Sequence, residues 1–268
     1  MTKECFEVML IWEVIFMFID THAHLFDEYY SNIEEVIARA LDNNVLKIII
    51  SGCDIKSNLE VLEKVGKYDS LYGTIGIHPL NLDNLDNNYM SFLEENIRNE
   101  KIIGIGEIGL DYHYEGADRE LQKDVFIHQI ELAIKYDMPV IIHSRDATED
   151  MMNILRRYNG KLRGVMHCYS GSVETALELI KMGFYLGVGG IITFKNAKNI
   201  VEVIKKIDLK YILLETDSPY LTPEPYRGNS NEPAYIPLIA RKIAEIKGVS
   251  LDSVMSATSG NVKMIFDK

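Results

Sequence analysis

Two histidines one residue apart, His22 and His24, follow an apolar run from Val14 to Ile19. Such a run reads as a short buried strand. In extended backbone, residues i and i+2 point to one face. Both imidazoles therefore leave the strand end side by side, within reach of one metal ion, and neutral imidazole is the commonest biological metal ligand. Other donors sit at equivalent places. His78 ends a third apolar run, Glu107 a fourth, His143 a fifth, His167 a sixth, and Asp217 closes Glu215-Thr216-Asp217 after the eighth. Taken singly, each is an ordinary polar plug or turn residue. Taken together, His22, His24, Glu107, His143, His167 and Asp217 offer four imidazoles and two carboxylates, more than one tetrahedral zinc site uses. The set suits two divalent cations bridged by a carboxylate. Glu107 is the expected bridge, because strand four lies across the barrel mouth from strand one. Metal coordination brings the pKa of a bound water toward neutrality, and Asp217 is placed to orient that water and carry its proton to a leaving group. Nitrogen and oxygen ligation without thiolate suits Zn, Mn, Fe or Mg alike. Cys168 adjoins His167. Strand neighbours face opposite ways, so its thiol is expected in packing and not as a nucleophile.

The elements that must position these residues alternate strictly. Strand-like runs at Leu46 to Ile50, Leu71 to Ile77, Ile102 to Ile105, Pro139 to Ile142, Arg163 to Met166, Phe184 to Val188 and Tyr211 to Leu214 follow the first. Helix-like stretches separate them: Ser31 to Asn43, Lys56 to Tyr68, Tyr89 to Arg98, Arg119 to Tyr136, Ala147 to Tyr158, Val173 to Met182 and Ala197 to Ile207. Two more, Tyr235 to Lys247 and Leu251 to Phe266, close the chain. In the long fourth helix, Leu121, Val125, Ile130, Ala133 and Ile134 mark the apolar face. Near-continuous hydrophobicity in the strands is the pattern of a parallel sheet buried on both faces. Eight such strands alternating with helices predict a (β/α)8 TIM barrel. A doubly wound open sheet is the alternative, and no glycine-rich dinucleotide fingerprint follows the first strand to support it. In a barrel every C-terminal strand end faces one rim, where active sites lie.

Composition narrows the function classes. The 268 residues are 47% hydrophobic and 25% charged, with a formal net charge of −12. That acidity argues against non-specific binding along a duplex by phosphate neutralisation. A nucleic-acid end stays accessible to the site if cations supply positive charge locally. The three cysteines, Cys5, Cys53 and Cys168, are scattered and odd in number. This predicts a reducing, cytoplasmic location without a disulfide framework. Met9 to Ile19 is too short to span a bilayer, which needs about 20 apolar residues, and it lacks the features of a signal peptide. Residues 1–16 read as an N-terminal extension or a mis-called start before Met17, and residues 17–268 as a single barrel. No membrane association and no stable protein partner are implied.

The motifs now resemble the TatD family of metal-dependent hydrolases, the TatD-like deoxyribonucleases among the amidohydrolase-type barrels. The resemblance rests on Phe18 to Leu25 (FIDTHAHL), Gly76 to Pro79 (GIHP), Ile105 to Tyr112 (IGEIGLDY), Gln122 to Ala133, and Pro139 to Ala147 (PVIIHSRDA). It continues through His167 to Gly171 (HCYSG), Leu213 to Leu221 (LLETDSPYL) and Arg227 to Pro233. These run in the family's order from residue 17 onward. The resemblance implies two divalent cations on the same six ligands and phosphodiester hydrolysis, typically exonucleolytic on DNA. Tyr169 stands where Phe is usual and Ser218 where Ala or Cys is common, and the stretch before Met17 is extra.

A phosphodiester substrate needs further contacts. Arg145 and Arg227 are candidate phosphate clamps, His113 and Tyr112 candidates for the leaving-group side, and Tyr169 or Tyr220 for stacking a terminal base. The lysines at 195, 198, 205 and 206 read as a solvated helix face. Two other functions are compatible with parts of this pattern. The same metal chemistry would hydrolyse another ester or amide, such as an aminoacyl ester. A non-catalytic binding module on a barrel scaffold would not need all six ligand-type residues.

Overall fold

A computed structural model describes residues 17–83, 85–86 and 88–266. Eight parallel strands form one sheet in sequence order: β1 (Phe18–Ala23), β2 (Val45–Ser51), β3 (Leu71–Ile75), β4 (Ile102–Asp111), β5 (Val140–Arg145), β6 (Gly164–Met166), β7 (Phe184–Val188) and β8 (Ile212–Leu214). The helices between and after them are α1 (Ile33–Asp42), α2 (Ile55–Lys67), α3 (Tyr89–Asn96), α4 (Arg119–Lys135), α5 (Thr148–Arg157), α6 (Val173–Lys181), α7 (Lys198–Lys206), α8 (Ile236–Lys247) and α9 (Leu251–Phe266). This is the (β/α)8 barrel. β1 and β8 close it: Asp217 N–H donates to His22 O at 2.9 Å, His24 N–H to Ser218 O at 2.7 Å, and Thr21 Oγ1 to Leu214 O at 3.0 Å. The buried Asp20 carboxylate reinforces the seam, accepting from Thr216 N at 2.9 Å and Thr216 Oγ1 at 2.5 Å. The expected extension at residues 1–16, and the start of the first strand at Val14, lie outside the described residues.

The apolar residues divide between two layers. Ile48, Ile50, Ile75, Ile105, Ile142, Leu186 and Leu214 belong to the large core between sheet and helices. Met17, Ile19, Ile49, Ile141, Val165 and Leu213 form a second cluster with Val262, Ile265 and Phe266 of α9. That cluster seals the N-terminal end of the barrel. Helix starts follow ordinary capping chemistry: the Asn32, Asp54, Asp118 and Ser172 side chains each accept a backbone N–H of the first turn. Among the described residues, no helix is long and apolar enough to cross a membrane.

Two sequence expectations need correction. β4 does not end at Glu107 but runs on to Asp111, pairing Gly109, Leu110 and Asp111 with His143, Ser144 and Arg145. Gly109, at φ +147, permits this, because a Cβ there would lie 2.0 Å from His143 O. Glu107 and His143 therefore lie within strands: Glu107 sits at the irregularity between Ile105 and Ile108, its N–H donating to Gly52 O at 2.9 Å, and His143 pairs with Gly109. In α4, Leu121 is 40% exposed while Gln122 and Gln129 are buried. The reason is backbone satisfaction. Gln122 exchanges two hydrogen bonds with the Asp111 backbone (2.8 and 2.9 Å), and Gln129 does the same with Ile77 (2.7 and 3.1 Å). A hydrophobicity pattern cannot register such clamps.

Candidate metal centre

The barrel brings the predicted donors to one place. Glu107 sits at its middle, with its two carboxylate oxygens facing different imidazoles. Oε2 lies 3.3 Å from His22 Nε2 and 3.6 Å from His24 Nε2. Oε1 lies 3.0 Å from His143 Nδ1, 3.6 Å from His167 Nε2 and 3.5 Å from His78 Nε2. Asp217 Oδ1 is 3.5 Å from His24 Nε2, 3.8 Å from His22 Nε2 and 4.0 Å from His167 Nε2. The side-by-side exit expected for His22 and His24 is realised, with their Nε2 atoms 3.2 Å apart. Asp217 reaches the group from a left-handed backbone conformation, φ 56.

The outer nitrogens of the rings show that these donors fit a cation. His24 Nδ1 lies 3.0 Å from the Ser51 carbonyl, which can only accept, so Nδ1 carries the proton and Nε2 presents a lone pair. His143 is reversed. Its Nε2 meets Asp111 Oδ2 at 3.0 Å, leaving the Nδ1 lone pair toward Glu107. His167 Nδ1 faces Glu215 Oε1 at 3.3 Å, which turns its Nε2 inward. His22 Nδ1 lies 3.1 Å from Ser51 Oγ. Lone pairs of nitrogen and carboxylate oxygen thus confront one another across the centre, which is stable only with a proton or a cation between them. Outer-shell acceptors that set the tautomer of an imidazole are the usual support of a metal ligand. His22, His24 and Asp217 form one group of donors within reach of one ion, His22, Glu107 and His167 another, and His78, Glu107 and His143 a third.

Charge follows the same geometry. Burial alone would raise the Glu107 carboxyl, but the imidazoles of His78, His167 and His22 hold it well below the usual range. Burial likewise pushes Asp217 up, and His167 with His24 and His22 outweighs it, so this carboxylate is lowered and ionised at neutral pH. Burial pulls the His167 imidazole down, yet Glu215, Glu107 and Asp217 raise it to about 10. Burial also dominates at His78, which drops to about 4.

Above these groups opens a cleft of about 590 Å³. Its walls include Phe26, Tyr29 and Tyr220 on the β1/β8 side and Arg145 with Tyr114 on the β4/β5 side. Arg145 is exposed, its guanidinium 5.8 Å from the Tyr114 ring centre. Tyr220 is 49% and Tyr29 39% exposed, and their hydroxyls are hydrogen-bonded at 2.9 Å. Other candidates fall elsewhere. Arg227 is not among the residues lining this cleft; its guanidinium stacks 4.2 Å over Phe194. His113 is likewise off the wall, paired with Asp146 at 2.8 Å. Tyr112 donates to Asp150 at 2.8 Å. Tyr169, expected as a stacking surface, is only 6% exposed and donates its hydroxyl to Ser172 O. It lines a smaller side cavity of about 230 Å³. Cys168 also departs from expectation. β6 stops at Met166, and Cys168 at φ 45 turns its Sγ to within 4.8 Å of ligand atoms of His167 and Asp217. Alternation ceased to apply once the strand had ended.

The supporting residues Ser51, Asp111 and Glu215 carried no signal beyond standing at strand ends. Glu215 is fully buried beside Gly187, where a Cβ would come within 2.2 Å of Glu215 Oε2, and Oε1 accepts the Cys168 N–H at 2.5 Å. Cys53 is a further unassigned neighbour, its Sγ 3.7 Å from Glu107 Oε2.

Comparison with known proteins matches this architecture. The family described as TatD related DNase matches residues 19–267. The metal-dependent hydrolase YabD of Bacillus subtilis (strain 168) is 43% identical over 252 residues, 93% of this chain and 99% of that protein. A protein of Shigella flexneri serotype 5b named 3'-5' ssDNA/RNA exonuclease TatD is 31% identical over 240 residues, 87% of this chain and 92% of its own length. The crystal structure of YjjV, a TatD homologue from Escherichia coli K12, has a TM-score of 0.89 at 31% identity, covering 94% of this chain and 98% of that one.

Proposed function

The chain belongs to the TatD family of metal-dependent hydrolases, and from that premise we propose that it hydrolyses phosphodiester bonds at the ends of DNA strands. His22, His24, Glu107, His143, His167 and Asp217 would hold two divalent cations. The observation that carries this reading is the placement of Glu107, one carboxylate oxygen toward His22 and His24 and the other toward His143 and His167. Bound cations would supply Lewis acidity and a water of lowered pKa. The chain's own residues do the rest. Asp217, ionised and on the cleft wall, accepts the proton of the attacking water and returns it to the leaving oxygen. Arg145 has no carboxylate within salt-bridge distance among the described residues, so its guanidinium is available to a phosphate. The exposed Tyr220 and Tyr29 rings offer faces for an unpaired base. The name of the Shigella relative points to the same substrate class.

The test is metal analysis of the purified protein together with assays on end-labelled single- and double-stranded oligonucleotides. Stepwise shortening that requires a divalent cation is the expected result. Hydrolysis of an aminoacyl ester with no oligonucleotide cleavage would assign the same centre to another substrate.

A further inference from the structure

Five histidines face Glu107 or its immediate partners, and four of them present a lone pair inward or are free to do so. His78 is different. The N–H of Leu80 donates to His78 Nδ1 at 3.1 Å. An N–H cannot accept, so Nδ1 holds the lone pair of a neutral ring and the proton must sit on Nε2. Nε2 is the atom that points into the centre, 3.5 Å from Glu107 Oε1. Where His24 and His143 have their outer nitrogen against an acceptor and a lone pair inward, His78 has its outer nitrogen against a donor and an N–H inward. A ring in that tautomer cannot ligate a cation through Nε2.

The placement of His78 is firm. Its own N–H donates to Cys53 O at 2.8 Å, and the preceding residue, Ile77, is gripped through both backbone groups by the buried Gln129. The ring packs edge-on against His143, centroids 4.4 Å apart, and lines the same cleft as Arg145 and Asp217. Its neighbours there include the inward-facing nitrogens of His24 and His143, whose outer nitrogens meet acceptors, and the Cys53 thiol, with Sγ 3.7 Å from Glu107 Oε2. His78 Nε2–H is thus a fixed hydrogen-bond donor beside an acceptor-rich centre.

We propose that His78 is a catalytic residue of this site, donating its Nε2–H to an oxygen of the scissile group on which negative charge grows, and that it is not a metal ligand. This rests on the phosphodiester reading above. A preorganised neutral donor aimed at a developing oxyanion stabilises the transition state more than the ground state. Removing one such donor typically lowers kcat by a factor of about 100 to 1,000.

Two measurements decide it. Long-range nitrogen–proton NMR on imidazole-labelled protein, with and without a divalent cation, should report His78 as the Nε2–H tautomer in both states. His78→Leu should keep the metal stoichiometry and affinity of the wild type, measured by calorimetry and metal analysis, while kcat on a labelled oligonucleotide falls about 100-fold with KM little changed. His78→Gln, whose side-chain amide can present an N–H, should recover part of that loss. A proton on Nδ1, or a lost metal equivalent in His78→Leu, would make His78 a ligand and overturn the proposal. Unchanged kcat in a metal-replete His78→Leu would overturn it too, while leaving phosphodiester hydrolysis standing. Failure of the metal-loaded wild type to cleave any oligonucleotide would remove the functional reading itself, and the proposal with it.

Discussion

The two ends of this barrel are built from the same strands and do opposite work. Toward the N-terminal end, Ile141 of β5, Val165 of β6 and Leu213 of β8 pack with α9 in a sealed apolar floor. Two residues further along stand His143, within β5, and His167 and Glu215, one position past the ends of β6 and β8. One end gains stability from apolar burial. The other gathers buried charge, whose desolvation opposes folding unless it is paired or bound to a cation. Thus the floor carries the stability that permits a crowded, charge-rich rim.

Substitutions at either end should separate these roles. The largest effect is expected at the rim: the double variant Glu107→Ala/His143→Ala should lose divalent-dependent cleavage by about a thousand-fold or more, since cation stabilisation accounts for several kcal/mol of barrier. Its circular dichroism spectrum should stay that of the folded barrel, and undiminished turnover would rule out the proposed site. Next comes the floor. Leu213→Ala, which truncates a fully buried side chain, should cost about 2 to 5 kcal/mol in denaturant unfolding and leave metal affinity unchanged. A loss of metal binding there would mean the two ends are coupled.

Smaller effects sharpen the picture of the rim. Asp111→Asn replaces the carboxylate that orients His143 and should weaken metal binding by about 10- to 100-fold, read by calorimetric titration. The pH dependence has a defined sign. In the metal-free protein the His167 imidazole titrates at about 10, so at pH 7 it is protonated and a cation must displace that proton. Affinity should therefore climb as pH rises and level off above about 10. Calorimetry at pH 7 in buffers of different ionisation enthalpy should show proton release on metal uptake; proton-neutral binding would exclude His167 as a ligand. The least change is expected at the lip of the cleft. Tyr220→Ala should raise KM for oligonucleotides about ten-fold, as loss of one stacking face does, with metal content unaffected.

Much of the molecule could be read before any fold was known. All eight strands were visible as apolar runs, and β7 coincides with its expected span, Phe184–Val188. The six candidate ligands stood out because histidines and carboxylates recur where those runs stop. The misreadings share a cause. β4 looked finished at Glu107 because its apolar run ended there, yet backbone pairing with β5 continues to Asp111. Leu121 was read onto the apolar face because leucine is hydrophobic, yet it is 40% exposed, while the neighbouring Gln122 is buried with its amide on the Asp111 backbone.

Residue types and their periodicity alone determined the barrel, the rim on which chemistry is possible and the nitrogen–oxygen character of the donors, because burial and alternation act locally along a chain. Which nitrogen of each ring faces the centre was decided only by tertiary structure. That choice depends on partners far away in sequence, such as Ser51 for His24, Asp111 for His143 and Glu215 for His167. The exposure of Tyr220 and the burial of Tyr169 were settled in the same way, by what the folded chain lays over each ring.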